Sequence, residues 1–98
     1  MTSAPQAYDF VEVVSEFIGV FRNASEKYKN IKPGEIFLVA GWTQMEKGQL
    51  LHLIYPKHHE AWKDFTLATV PYLDVIYYPM YLEIIDKNKN ILVELLWT

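Results

Sequence analysis

Apolar side chains near the start of the chain recur at alternating spacings of three and four residues. Side chains at this spacing share one face of an α-helix. The opposite stripe is mostly polar, and Ser3 with Gln6 three residues later matches a capping box. The apolar stripe consists of Ala7, Phe10, Val14, Phe17, Phe21, Ala24 and Tyr28. The spacing therefore predicts an amphipathic helix over residues 4–29.

The next segment has the composition of a β-hairpin. The tripeptide Lys32-Pro33-Gly34 predicts a turn, because proline fixes one central φ and glycine accepts a positive φ at the next position. Residues 35–43 and 49–55 are rich in β-branched and aromatic side chains, which is typical of strands. We therefore predict two strands joined by a loop at residues 45–48.

The second half of the chain repeats this order. Residues 57–69 predict a shorter helix, and residues 75–86 and 91–97 predict a second hairpin around a polar turn. Pro79 predicts an edge strand or a break, because proline donates no hydrogen bond to a neighbouring strand. We therefore predict one α+β domain over residues 1–98, with the order helix, hairpin, helix, hairpin. Its four-stranded, mostly antiparallel sheet carries both helices on one face.

Side-chain alternation gives the predicted sheet a second apolar face, turned away from the helices. A sheet with one solvated face normally alternates apolar and polar side chains, and a monomer rarely leaves a large apolar patch bare. We therefore expect the far face to contact a protein partner or a second copy of the chain. The predicted partner-binding residues are Phe37, Val39, Tyr77, Tyr81 and Glu94.

A second hypothesis is a small-ligand binding protein or a proton-transfer enzyme with a tyrosine-lined pocket. Its residues are His52 at the mouth, Tyr77 and Tyr81 in the wall, and Glu83. Histidine titrates near neutrality, and burial can raise the pKa of a glutamate into the same range. The favoured hypothesis is a non-enzymatic module that regulates or inhibits a larger protein, or that self-associates as an adaptor.

The chain lacks the residues that several classes of chemistry need. The chain has no cysteine and no glycine-rich phosphate loop, so we expect no thiolate chemistry and no nucleotide cofactor. His58, His59 and Glu60 are consecutive, and their spacing matches no zinc motif. Neighbouring side chains on a helix point in different directions, so His58 and His59 cannot easily bind one metal ion. We therefore expect no metal and no cofactor.

Charge and hydropathy set the expected partners and location. Nine Lys and Arg stand against twelve Asp and Glu, which gives a net charge of −3 and no basic excess for binding nucleic acid. No apolar run reaches the roughly 18–20 residues that a membrane helix needs. The start of the chain has no basic, apolar leader, and the absence of cysteine fits a reducing compartment. We therefore expect a cytoplasmic protein with neither nucleic acid nor membrane as a partner.

Overall fold

The computed structural model describes residues 4–25, 28–58 and 70–85. These residues form one antiparallel sheet of seven strands in the order β3-β2-β6-β5-β4-β1-β7. The strands are β1 (Phe10–Val13), β2 (Phe17–Arg22), β3 (Tyr28–Ile31), β4 (Ile36–Met45), β5 (Gly48–Ile54), β6 (Tyr72–Ile76) and β7 (Leu82–Ile85). A 3₁₀ turn covers Pro56–His58.

The predicted helix over residues 4–29 is wrong, because this segment forms β1, β2 and the start of β3. A period of two fits the same residues, since the buried Val11 and Val13 flank the exposed Glu12. Valine, isoleucine and phenylalanine favour strands, and a glycine such as Gly19 destabilises a helix interior by about 1 kcal/mol. Strand pairing with distant segments then decides between the two patterns.

The rest of the α+β prediction is also wrong. The described residues contain no α-helix, and the sheet has seven strands rather than four with helices on one face. The predicted second helix begins in the 3₁₀ turn, and its residues 59–69 lie outside the described part of the chain. The predicted turn at 86–90 and strand at 91–97 also lie outside it.

Two local predictions agree with the structure. The β4–β5 hairpin is confirmed, with Met45 paired with Gly48 across a two-residue turn. The turn at residues 32–34 is confirmed as well, since Gly34 has a φ of 95° and the Glu35 amide donates to the Lys32 carbonyl at 3.2 Å. Pro79 lies between β6 and β7, so the predicted strand over residues 75–86 is broken there, and residue 86 lies outside the described part of the chain. These features depend on turn chemistry within a few residues.

The sheet curls until strands from its two ends meet. Phe17 on β2 and Tyr81 just before β7 pack edge to face, with ring centroids 5.8 Å apart, although four strands separate β2 from β7 in the sheet. We call the enclosed side of this half-barrel the inner face and the opposite side the outer face. The buried core of the inner face consists of Val11, Val13, Phe21, Ile31, Phe37, Val39, Leu51, Leu53, Leu73 and Leu82.

The outer face carries a second buried cluster. It consists of Phe10, Leu38, Ile54, Val70 and Ile85. Leu38 and Ile54 are paired across β4 and β5, and the neighbouring pair of Val39 and Leu53 points to the inner face. At these two residue pairs both sides of β4 and β5 are apolar and buried, which explains why the sequence of β4 shows no apolar and polar alternation in its first half.

Gly19 lets β2 lie close to its neighbours. A Cβ atom at this position would lie 2.6 Å from Leu73 Cδ1 and 3.0 Å from Ile31 Cγ1. Leu73 and Ile31 are both fully buried in the core of the inner face, so neither side chain has room to withdraw. The absence of a side chain at Gly19 is therefore part of how the sheet closes.

Candidate functional site

The structure distributes the five predicted partner-binding residues over different environments. Phe37 and Val39 are fully buried in the core of the inner face, so they present no surface to a partner. Tyr77 and Tyr81 are half-buried and pack against the same core. Glu94 lies outside the described residues. Among the described residues of this set, only Tyr77 and Tyr81 therefore reach the surface.

His52 belongs to a polar network on the outer face. It lies opposite Asp74 in the pairing of β5 with β6, and its Nδ1 is 2.6 Å from Asp74 Oδ1. The second carboxylate oxygen of Asp74 accepts a hydrogen bond from Arg22 Nε at 2.8 Å. Thr43 Oγ1 lies 3.1 Å from His52 Nε2. The network therefore joins β4, β5, β6 and β2.

The order of hydroxyl, imidazole and carboxylate resembles the arrangement that activates a nucleophile. Asp74 also pairs with the Arg22 guanidinium at 2.8 Å, so its carboxylate is shared between two partners. Thr43 is exposed on the outer face of β4. Such polar networks across strands also occur as stabilising elements, and we interpret this one as structural.

The residues predicted for a ligand site do not converge in the described structure. His52 lies on β5, whereas Glu83 lies on β7, and β4 and β1 separate these two strands. Glu83 faces Glu12 in the pairing of β1 with β7. The four predicted residues therefore form no single pocket.

The outer face of β2 and β3 carries a bare apolar patch that the sequence analysis missed. We call Ile18, Val20 and Tyr28 the ribbon patch. Their exposed fractions are 69%, 43% and 68%, and Val20 is directly paired with Tyr28. In the described sheet β3 is an outermost strand, so the patch lies at an edge. The sequence signal for this patch is the position of Ile18 and Val20 on either side of Gly19, which places both side chains on one face of a strand. The helical prediction for residues 4–29 obscured it.

A pocket of about 210 Å³ lies where β2 ends and β3 begins. Its lining residues are Phe21, Ala24, Ser25, Lys29, Tyr55 and Pro71. None of the four residues predicted for a ligand site lines it. A helix over residues 4–29 would hold residues 21–29 away from Tyr55 and Pro71, so the helical prediction gave no indication of this pocket.

Among the described residues, His58 is part of no metal centre. Burial, and then the positive charge of Lys57, lowers the pKa of His58 below the ordinary value of 6.5. Within residues 4–25, 28–58 and 70–85, no group of three His, Asp or Glu side chains is arranged to hold a metal ion. His59 and Glu60 lie outside these ranges.

The described part of the chain contains no helix of the length and apolarity needed to cross a lipid bilayer. Comparison of the chain with models of protein families, with curated proteins and with solved structures found no match. A function is therefore inferred from the ribbon patch and the pocket themselves.

Proposed function

We propose that this protein is a small, non-enzymatic interaction module that associates with a second copy of itself through the ribbon patch. The observation that carries the proposal is the exposure of three adjacent apolar side chains on one edge of the sheet. Single exposed apolar residues are ordinary, but contiguous apolar patches mark surfaces that another molecule covers.

Symmetry favours a second copy as the occupant. In a two-fold dimer the same patch lies on both sides of the interface, so the patch must complement itself. Ile18 and Val20 flank Gly19 on β2, and an antiparallel approach of two β2 strands would place Ile18 against Val20 of the other copy. An apolar patch meets this requirement, because two apolar surfaces attract each other without charge matching.

The charges at the two ends of β2 suit the same arrangement. The exposed Glu16 directly precedes the strand, and Arg22 ends it. A two-fold axis near Gly19 would bring Glu16 close to Arg22 of the other copy, while Arg22 keeps its bond to Asp74 at 2.8 Å. Opposite charges at the rim of an interface fix its register and favour encounter.

Chain length adds a thermodynamic reason. A chain of 98 residues buries only about 60–65% of the surface that its unfolded state exposes, which leaves a modest stability. Covering the ribbon patch with a second copy would remove further apolar surface from water, at about 25 cal/mol per Å². Association and stability are therefore linked, and the midpoint of unfolding should rise with protein concentration.

Light scattering on two variants tests the proposal. Ile18→Lys places a charge in the ribbon patch, and Met45→Lys is the matched control, because Met45 is an exposed apolar residue at the far end of β4. We expect a wild-type mass above that of the 11.5 kDa chain, and association weakened roughly tenfold or more by Ile18→Lys alone. A monomeric wild-type protein, or equal effects of the two substitutions, would contradict the proposal.

A further inference from the structure

The pocket beside Tyr55 combines an apolar wall with polar donors. Phe21, Ala24 and Pro71 supply the wall, while Ser25 and Lys29 supply a hydroxyl and an ammonium group. The pocket lies on the side of the β2–β3 ribbon opposite the ribbon patch, because Phe21 points to the inner face. Its volume of about 210 Å³ is below the usual range of drug-sized sites, so its ligand must be small.

The ring of Tyr55 is held in a fixed position. It stacks on Phe21 with the ring centroids 5.8 Å apart, and its centroid lies 5.1 Å from that of the Phe37 ring. Its hydroxyl accepts a hydrogen bond from Lys29 Nζ at 2.9 Å. A phenol that accepts a bond still has its own proton to donate. Tyr55 can therefore donate to an acceptor in the pocket without any rearrangement of its ring.

Two ammonium groups approach this one ring. Lys29 Nζ lies 5.4 Å and Lys57 Nζ 5.7 Å from the centroid of Tyr55. Glu35 Oε1 lies 3.9 Å from Lys29 Nζ, so Glu35 offsets part of the charge of Lys29. A negative charge bound beside the ring of Tyr55 would be attracted by both ammonium groups.

From these contacts we propose that the pocket binds a small organic anion with a flat apolar body, such as an aryl carboxylate or an aryl phosphate. The anionic group lies at Lys29 and the hydroxyls of Tyr55 and Ser25, with Lys57 adding positive potential from outside the lining. The apolar body packs against Phe21, Ala24 and Pro71. Charge-assisted hydrogen bonds fix the head of the ligand, and apolar burial holds the rest.

Titration of the full chain, followed by amide chemical shifts, tests the ligand class. The probes are benzoate, phenyl phosphate, inorganic phosphate and the uncharged benzyl alcohol. We expect saturable shifts around Ser25, Lys29 and Tyr55 with the two aryl anions, and binding of benzyl alcohol weaker by roughly tenfold. Equal affinity for benzyl alcohol and benzoate would contradict recognition of the negative charge. Equal affinity for inorganic phosphate and phenyl phosphate would contradict binding of the apolar body.

Variants test the position of the site. Lys29→Gln and Lys57→Gln remove the two charges, and Lys47→Gln in the β4–β5 turn is the matched control. We expect Lys29→Gln to weaken benzoate binding roughly tenfold, Lys57→Gln to weaken it less, and Lys47→Gln to leave it unchanged. If Lys29→Gln lowers the midpoint of thermal unfolding, the affinity of the Lys57→Gln protein for benzoate tests the position of the site instead. The proposal is overturned if the Lys57→Gln protein and a folded Lys29→Gln protein both bind benzoate as tightly as the wild type. It is also overturned if neither aryl anion shows saturable binding.

Discussion

His52 and Asp74 face each other across β5 and β6, with 2.6 Å between the imidazole Nδ1 and the carboxylate Oδ1. Both side chains are largely covered, with exposed fractions of 19% and 17%. The same carboxylate binds Arg22 on β2, so one residue of β6 holds side chains from the strands on both of its sides. Asp74 is therefore the centre of the polar network.

Asp74→Asn is expected to lower the free energy of unfolding by about 1–2 kcal/mol, because His52 and Arg22 both lose a charged acceptor. Urea denaturation at neutral pH measures the change. Adding His52→Asn to this variant should cost less than the same change in the wild-type chain, since the two residues act as a pair. Fully additive losses would show that the contact contributes no coupling energy.

Gly19→Ala is expected to destabilise the fold by about 1–3 kcal/mol, because the new methyl group would overlap Leu73 and Ile31. Gly41→Ala is the control, since a Cβ there has His52 Cδ2 as its nearest contact, at 3.9 Å. Thermal and urea unfolding of both variants give the comparison. A Gly19→Ala protein as stable as the Gly41→Ala protein would contradict the close packing of β2 on β6 and β3.

Glu83→Gln is expected to raise the free energy of unfolding slightly, by about 0.2–1 kcal/mol. Glu12 and Glu83 are directly opposed in the pairing of β1 with β7, and like charges in that position repel each other. The gain should shrink at high salt, because ions screen an exposed pair. A loss of stability in Glu83→Gln at low salt would count against this register.

The histidine after β5 should make stability depend on pH. Burial and the charge of Lys57 lower the pKa of His58 below 6.5, so near that pH the unfolded chain binds a proton that the folded chain does not. This contribution to stability is present above pH 6.5 and is lost as the pH falls through 6.5 towards the folded pKa. His58→Gln should therefore lose less stability than the wild type between pH 7.5 and pH 5.5, and identical losses would rule the contribution out.

The sequence predicts those parts of this fold that depend on short-range chemistry. The β4–β5 hairpin and the Lys32–Glu35 turn follow from residues within a few positions of each other, and both are present. Residues 4–29 instead carry two overlapping patterns, helical and alternating. The alternating one prevails because β1 pairs with β4 and β7, and β2 pairs with β6, about 50 residues away.

The candidate sites show the same dependence on distant pairing. The sequence singled out His52, but its contacts with Asp74 and Arg22 arise from the registers of β5 with β6 and of β2 with β6. Phe37 and Val39 alternate with Leu38 as expected, yet curling of the sheet encloses their face instead of exposing it. The ribbon patch likewise depends on the pairing of β2 with β3, which sets Val20 opposite Tyr28.

Contacts between two copies of the chain are the most direct evidence for the ribbon patch as an interface. An isotope-filtered NMR experiment on an equal mixture of ¹³C-labelled and unlabelled protein detects only contacts between molecules. We predict contacts between the methyl groups of Ile18 and those of Val20 of the other copy, together with contacts of the Tyr28 ring. A concentrated sample with no contacts between molecules, or with contacts confined to other exposed residues such as Met45 or Met80, would contradict self-association through β2 and β3.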